Sequence, residues 1–210
     1  MLRFFKTPYL IKKLFFRRIW GFSLNKKSVY LTFDDGPHPD ITNWILDYLS
    51  RESIKATFFC VGENVRKYPE IYARIIKDGH SVGNHSMYHN NASNSQKKEY
   101  LDSISQASEL IKSNLFRPPY GRLPITWEEG FLKDYNIIMW SWLSYDFDKN
   151  ISVKTILKKA KKIKSGDILV LHDNPKITEK QKELLPKLIR ELKHNNFTFE
   201  TISLNEKNKN

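Results

Sequence analysis

Along most of the chain, short apolar runs alternate with stretches in which apolar residues recur every three or four positions. Runs of the first kind read as buried strands, and stretches of the second as amphipathic helices. Val29-Tyr30-Leu31-Thr32-Phe33 predicts a strand over 28–33. Asp40 then stands at a helix start, with Ile41, Trp44, Ile45, Tyr48 and Leu49 at helical spacing behind it. A second strand is expected over 55–61. Pro69 opens a helix carrying Ile71, Ile75 and Ile76, which Gly79 ends. A short strand over 80–83 leads into a histidine-bearing loop, and Ser95 caps a helix presenting Leu101, Ile104 and Ile111.

The second half repeats this rhythm. It predicts a helix near 124–133, a strand over 137–141 and a basic helix over 152–164 with Val153, Ile156, Leu157, Ala160 and Ile163 inward. A strand over 168–171 follows, then a helix over 183–194 in which Pro186 is tolerated only in the first turn. A strand over 197–202 ends the pattern.

Strands alternating with helices imply parallel pairing through crossovers. About seven such units fit an α/β architecture of the distorted (β/α) barrel type better than an open sheet. Barrels of this kind carry their chemistry at the C-terminal ends of the strands. Polar clusters that directly follow predicted strands are therefore the functional candidates.

Composition narrows the classes. With 210 residues, 40% of them apolar, the chain has the material for one packed domain. Its single cysteine, Cys60, excludes an internal disulfide and a thiol-rich metal cluster. Flanked by Phe59 and Val61, it reads as a buried strand residue. The net charge of +12 favours polyanionic surroundings. Lys154, Lys158, Lys159, Lys161, Lys162 and Lys164 supply much of it and lack the aromatic interleaving of a single-strand binder, so they read as a solubilising face and no nucleic-acid partner is expected.

The first twenty residues hold six cations, no acid and many aromatics. Their longest uncharged run, over 7–11, is too short for a secretory or membrane-spanning segment. With no export signal recognised, the expected location is cytoplasmic or membrane-peripheral. The segment fits either a basic surface helix in peripheral contact with a membrane through residues 1–20 or an extension whose aromatics pack onto the domain, and packing is the expectation. The resulting division is a basic, aromatic extension over 1–25, a domain over 26–204 and a disordered tail over 205–210.

Five polar clusters are the candidates, four of them directly after predicted strands. Asp34 and Asp35 end the first, and adjacent carboxylates stay ionised only beside a compensating cation. His85 and His89, four apart, suit one helical turn that shares a metal; with one aspartate they complete a three-ligand set. Arg117-Pro118-Pro119-Tyr120-Gly121 is stiffened by two prolines, which aim the Tyr120 amide, while Arg117 is available to a strand-end carboxylate. Asp146 follows Trp140, Trp142 and Tyr145, aromatics that read as core or as a sugar-stacking wall. His172, ending a buried strand, is placed to act as a general acid if Asp146 holds its other nitrogen. His38, His80 and His194 have no such arrangement.

In this order, Thr32-Phe33-Asp34-Asp35-Gly36-Pro37, His85-x3-His89, Arg117-Pro118-Pro119-Tyr120-Gly121 and Leu171-His172-Asp173 resemble the motifs of the polysaccharide deacetylases, the NodB-homology domains of carbohydrate esterase family 4. The resemblance spans residues 26–204. It implies a distorted (β/α) barrel and a hydrolase that removes N-acetyl groups from amino-sugar polymers or oligosaccharides. It further implies that Asp35, His85 and His89 bind a divalent metal ion, usually Zn2+, and that Asp34 is the general base. Arg117 would orient Asp34, the Tyr120 amide would stabilise the oxyanion, and His172, tuned by Asp146, would protonate the leaving amine. One motif departs from the family's Asp-x-x-Asp-Trp, because Leu143 and Phe147 occupy its first and last positions. Two rivals remain: an amide hydrolase acting on a small non-sugar substrate, and a catalytically silent carbohydrate-binding or membrane-associated relative.

Overall fold

A computed structural model describes residues 3–23, 26–131 and 133–203; the tail expected over 205–210 lies outside them. Eight strands are found among the described residues: β1 (Ser28–Asp34), β2 (Thr57–Cys60), β3 (Ser81–Asn84), β4 (Leu115–Phe116), β5 (Asn136–Ile137), β6 (Trp142–Leu143), β7 (Ile168–His172) and β8 (Thr198–Glu200). Seven of them run in the order β5-β4-β3-β2-β1-β7-β6, every pair parallel, and β8 joins beside the start of β1. The sheet curls as expected of a distorted (β/α) barrel.

The intervening helices are α1 (Tyr9–Leu14), α2 (Ile41–Arg51), α3 (Gly62–Lys67), α4 (Pro69–Lys77), α5 (Lys97–Leu110), α6 (Ile125–Phe131), α7 (Val153–Ala160) and α8 (Thr178–His194). Every residue of β1 is buried, as expected of a strand covered on both faces. Val29, Leu31 and Phe33 join the large core with α2 and α8, while Tyr30 joins a second core with Phe59, Ile138 and Ile168. Thr32 and Asp34 share the face of Tyr30 by the strand's two-residue period.

Several elements differ from expectation. Asp40 sits at the start of α2 but its side chain makes no capping bond. Ser95 does not cap α5, whose N-cap is Gln96; its hydroxyl instead donates to the Asn91 carbonyl at 3.0 Å. α8 begins five residues before the expected 183, which leaves Pro186 in its interior. An interior proline costs about 3 kcal/mol. Burial of Leu184, Leu185, Leu188, Ile189 and Leu192, at about 1.5–3 kcal/mol each, outweighs that cost. The basic helix is shorter than expected, ending at Ala160, with Ser152 accepting from the Thr155 amide at its start.

The N-terminal segment is split. The Leu143 N–H donates to Phe5 C=O at 2.9 Å and the Thr7 N–H to Ser141 C=O at 3.0 Å, along the outer edge of β6. Farther on, the Ile19 N–H donates to Ile137 C=O at 2.8 Å and the Met139 N–H to Ile19 C=O at 2.7 Å, along the outer edge of β5. One segment therefore pairs with both ends of the sheet. Phe5 is buried and Ile19 and Trp20 pack against core clusters, in line with the packing expectation, but α1 between them leaves its apolar side chains exposed.

Candidate active site

The strand ends converge as the register requires. Asp34 lies opposite Phe59 on β2 and opposite His172 on β7, which brings the base and acid candidates to the same end of the sheet. Across β3 and β4, Asn84 pairs with Phe116, so the residues that follow, His85 and Arg117, enter together.

Arg117 is fully buried and its donors are divided among fixed acceptors. One terminal nitrogen donates to Asp34 Oδ1 at 2.6 Å and to Thr32 Oγ1 at 2.7 Å; the other reaches Met139 C=O at 3.1 Å, and Nε reaches Ile138 C=O at 3.2 Å. The Phe59 ring lies 4.0 Å from the guanidinium carbon. Burial lowers the Arg117 pKa, and the carboxylate of Asp34 acts in the opposite sense. A guanidinium stays charged under such a shift, so the pair fixes the Asp34 carboxylate in one orientation.

Asp35 turns away from Asp34 because its backbone is left-handed, with φ of 88°. Its Oδ1 stands 3.2 Å from His89 Nε2 and 3.9 Å from His85 Nε2. Burial works against the Asp35 carboxylate, but the nearby imidazoles of His89, His172 and His85 hold its pKa well below the usual carboxylate range. The His85–His89 loop is not a helical turn, contrary to the spacing argument. Left-handed residues Ser86 and His89 fold it, and α3 and α5 pin it: Gly62 and Glu63 amides donate to Ser86 and Met87 carbonyls, and the Met87 amide donates to the Ser103 carbonyl. The two imidazoles end 5.1 Å apart.

The donor set fits a cation. His85 Nδ1 lies 2.7 Å from the Arg117 carbonyl, which only accepts, so Nδ1 carries the proton and Nε2 offers its lone pair towards Asp35. Burial pushes the His85 pKa down to about 4, which leaves the imidazole neutral near pH 7 as a ligand must be. Asp35 Oδ1 is buried without a hydrogen-bond partner. Ligand atoms of Asp35, His85 and His89 all lie within 4.8 Å of one another. Two imidazole nitrogens and one carboxylate match the donor types of an open three-ligand metal site.

On the other side, Asp146 is fully buried and Oδ1 lies 2.7 Å from His172 Nδ1, while Oδ2 accepts the His172 amide at 2.9 Å. Burial opposes charge on His172, but Asp146 outweighs it, aided by Asp35 and Asp34, and pushes the pKa up to about 9. With Nδ1 so engaged, Nε2 is the ring nitrogen that remains for other partners. Tyr120, left-handed at φ 59°, lies on the rim with its ring 4.6 Å from that of His89. The following Gly121 has φ of 65°, and a Cβ there would stand 2.4 Å from Trp140. Trp142 is core, and Trp140 and Tyr145 pack against core clusters, so the exposed aromatics in contact with site residues are Tyr120 and Phe147 instead. The Phe147 ring meets that of His172 edge-on at 5.0 Å.

The fold brings all eight residues expected at the site to this end of the sheet, together with supports to which the sequence assigned no role. Asn174 Nδ2 donates to Asp35 Oδ2 at 3.2 Å, and Asn64 Nδ2 donates to the Asp35 carbonyl at 2.7 Å while approaching His38 Nε2 at 3.3 Å. Asp173 accepts the Gly36 amide at 2.8 Å and the Thr42 hydroxyl at 2.6 Å. A Cβ on Gly36 would stand 1.9 Å from Asp173 Oδ2, so only glycine fits there. Burial, reinforced by Asp35, pushes the Asp173 pKa up to about 7 despite those two donors. Asp173 stood in the sequence only as the last residue of the Leu171-His172-Asp173 motif, and its role as acceptor for the Gly36 amide emerges from the fold.

Comparison with known proteins agrees with this arrangement. The Polysaccharide deacetylase family profile matches residues 23–133, more than half of the chain. A peptidoglycan-N-acetylglucosamine deacetylase of Bacillus cereus is 34% identical over 192 residues, covering 88% of this chain and 90% of its own. A chitooligosaccharide deacetylase of a Bradyrhizobium species is 33% identical over 169 residues, 75% of each chain. The crystal structure of the Bc1960 peptidoglycan N-acetylglucosamine deacetylase superposes with a TM-score of 0.85 at 30% identity, over 93% of this chain and 95% of that one. Sequence, fold and strand-end geometry thus converge, and the chain belongs to the polysaccharide deacetylase family.

Proposed function

We propose that this chain is a metal-dependent deacetylase that hydrolyses the N-acetyl group of amino sugars in chitooligosaccharide or peptidoglycan-type N-acetylglucosamine, releasing acetate and a free amine. The observation that carries this reading is the division of labour between neighbouring aspartates: Asp34 is locked to a buried guanidinium, while Asp35 faces two imidazoles.

In this reading Asp35, His85 and His89 hold a divalent cation, with Zn2+ favoured by the nitrogen-rich donor set. Such a cation supplies Lewis-acid polarisation of the acetamide carbonyl and of water. Asp34 takes the proton from the attacking water, and Arg117 keeps that carboxylate aimed. The Tyr120 amide donates to the oxygen that gains charge. His172 carries its proton on Nε2 to the departing nitrogen, because Nδ1 is engaged by Asp146. Tyr120 and Phe147 offer flat apolar faces beside His89 and His172, suited to pyranose rings. Leu143 does not replace the missing carboxylate of the fourth motif; its amide pairs with Phe5 at the sheet edge.

Acetate release from chitooligosaccharides, peptidoglycan and small amides, with and without added zinc, tests the proposal. Acetate from sugars alone, abolished by a chelator and restored by metal, is the expected result. Activity on small amides alone favours the amide-hydrolase rival, and a metal-loaded protein inert on all three favours a silent binder. Asp34, Arg117 and His172 together speak against silence, since binding alone requires neither a base nor an acid. Asp35→Ala is expected to lose stoichiometric zinc by elemental analysis, and unchanged metal content would overturn that ligand assignment.

A further inference from the structure

Residues 3–20 hold six cations and no acid, and the fold sorts those cations into two groups. Arg3, Lys6 and Arg18, near the two ends of the segment, reach acids of the barrel: Asp148 at 2.5 Å, Asp167, and the buried Glu128 at 2.6 Å. Lys12, Lys13 and Arg17, in the middle, have no ion-pair partner among the described residues.

The apolar side chains are sorted in the same way. Phe5, Ile19 and Trp20 pack against the body of the protein. Tyr9, Leu10, Leu14 and Phe16 are 75%, 75%, 65% and 76% exposed, the four most exposed large apolar side chains among the described residues. Leu10 and Leu14, one turn apart on α1, share a side of the helix. Isolated exposed apolar residues are ordinary, but four of them gathered with three unpaired cations mark an interaction surface. The bonds to Ser141 and Ile137 hold both ends of the segment to the sheet, so this surface is borne on the barrel rather than on a free tail.

We propose that α1 and the turn after it dock the protein on an anionic lipid surface. Tyr9, Leu10, Leu14 and Phe16 enter the boundary between headgroups and acyl chains, and Lys12, Lys13 and Arg17 meet the lipid phosphates. A second copy of the chain would cover the apolar groups but bring the same three cations against its own. An acidic protein partner would answer the cations without requiring four apolar side chains to project.

Co-sedimentation of the full chain with vesicles tests this independently of any deacetylase activity. Binding is expected to vesicles of equal parts phosphatidylglycerol and phosphatidylcholine, to weaken as salt rises, and to be at least about tenfold weaker on phosphatidylcholine alone. Leu10→Ser/Leu14→Ser/Phe16→Ser is expected to lower binding by about tenfold or more while its thermal unfolding is unchanged. Lys13→Glu/Arg17→Glu is expected to abolish the preference for the anionic vesicles. Wild type that stays in the supernatant, equal binding to both vesicle types, or a triple serine variant that binds like wild type would overturn the proposal. A dimer in sedimentation velocity that the triple serine variant dissolves would assign the surface to a second copy instead.

Discussion

Two buried ion pairs face each other across this site, and they are built in opposite ways. In the Asp34–Arg117 pair the cation is the fixed member: Arg117 is wholly enclosed, tied to Thr32, Ile138 and Met139 as well as to Asp34, and its charge is permanent. In the Asp146–His172 pair the anion is the fixed member, enclosed and bonded to the amides of Phe147 and His172, while the imidazole is the group that can change charge. The fixed member sets the chemistry of the other. A permanent cation fixes the orientation of the Asp34 carboxylate, and a buried carboxylate keeps the His172 imidazole loaded with a proton. The proposed base is thus held in place by its partner, while the proposed acid is held charged by its own.

The largest expected effect comes from breaking the first pair. Arg117→Met leaves Asp34 as a buried charge without a partner and strips donors from two carbonyls. A loss of about 3–5 kcal/mol in stability is expected by urea titration, and a loss below 1 kcal/mol would mean that Asp34 does not depend on the guanidinium. Breaking the second pair at its mobile member acts on rate rather than on folding. His172→Ala is expected to lower acetate release by about 10²–10⁴-fold with metal content intact.

The third test addresses the pair's control of protonation. In the metal-free protein, imidazole resonances of His172 are expected to titrate at about 9, above the ordinary 6.5. Because that folded-state pKa is raised, the protonated imidazole stabilises the fold fully below about pH 6.5, and the contribution is lost as pH rises through about 9. Asp146→Asn removes the dominant cause of the upward shift, so the titration should move down and the stability lost on the alkaline side should shrink. A titration that stays in place would assign the shift to Asp34 and Asp35 instead. The smallest effect is expected at a support of the metal-ligand side. Asn174→Ala removes one hydrogen bond to Asp35, worth about 1 kcal/mol, and should weaken zinc retention several-fold without touching the His172 titration.

Much of this was legible because the chemistry sits where strands stop. β1 and β7 are apolar runs that end in Asp34 and His172, so periodicity alone delivered those residues to one place. The two-residue strands β4, β5 and β6 carry no usable period, and the residues Trp142 and Leu143 escaped as a strand because only pairing with β7 and Phe5 defines them. α3 was missed for a similar reason, its buried face consisting of Gly62 and Val65 alone. With α3 went Asn64, whose bond to the Asp35 backbone crosses 29 positions of sequence. The histidine loop was assigned to the wrong geometry because spacing of four suits a helix, whereas left-handed Ser86 and His89 achieve the same convergence. The N-terminal segment was framed as either packed or membrane-facing, although pairing at its ends leaves its middle free to project.

That pairing has a practical consequence for anyone handling the protein. The family match begins at residue 23, which invites trimming the chain there to obtain a minimal catalytic unit. Such a cut would remove the segment that covers both outer sheet edges, leaving the amides of Leu143 and Met139 without their acceptors and the buried Glu128 without Arg18. Unpaired sheet edges recruit other chains. The trimmed protein is therefore expected to be recovered as aggregate even though every residue of the active site is still present.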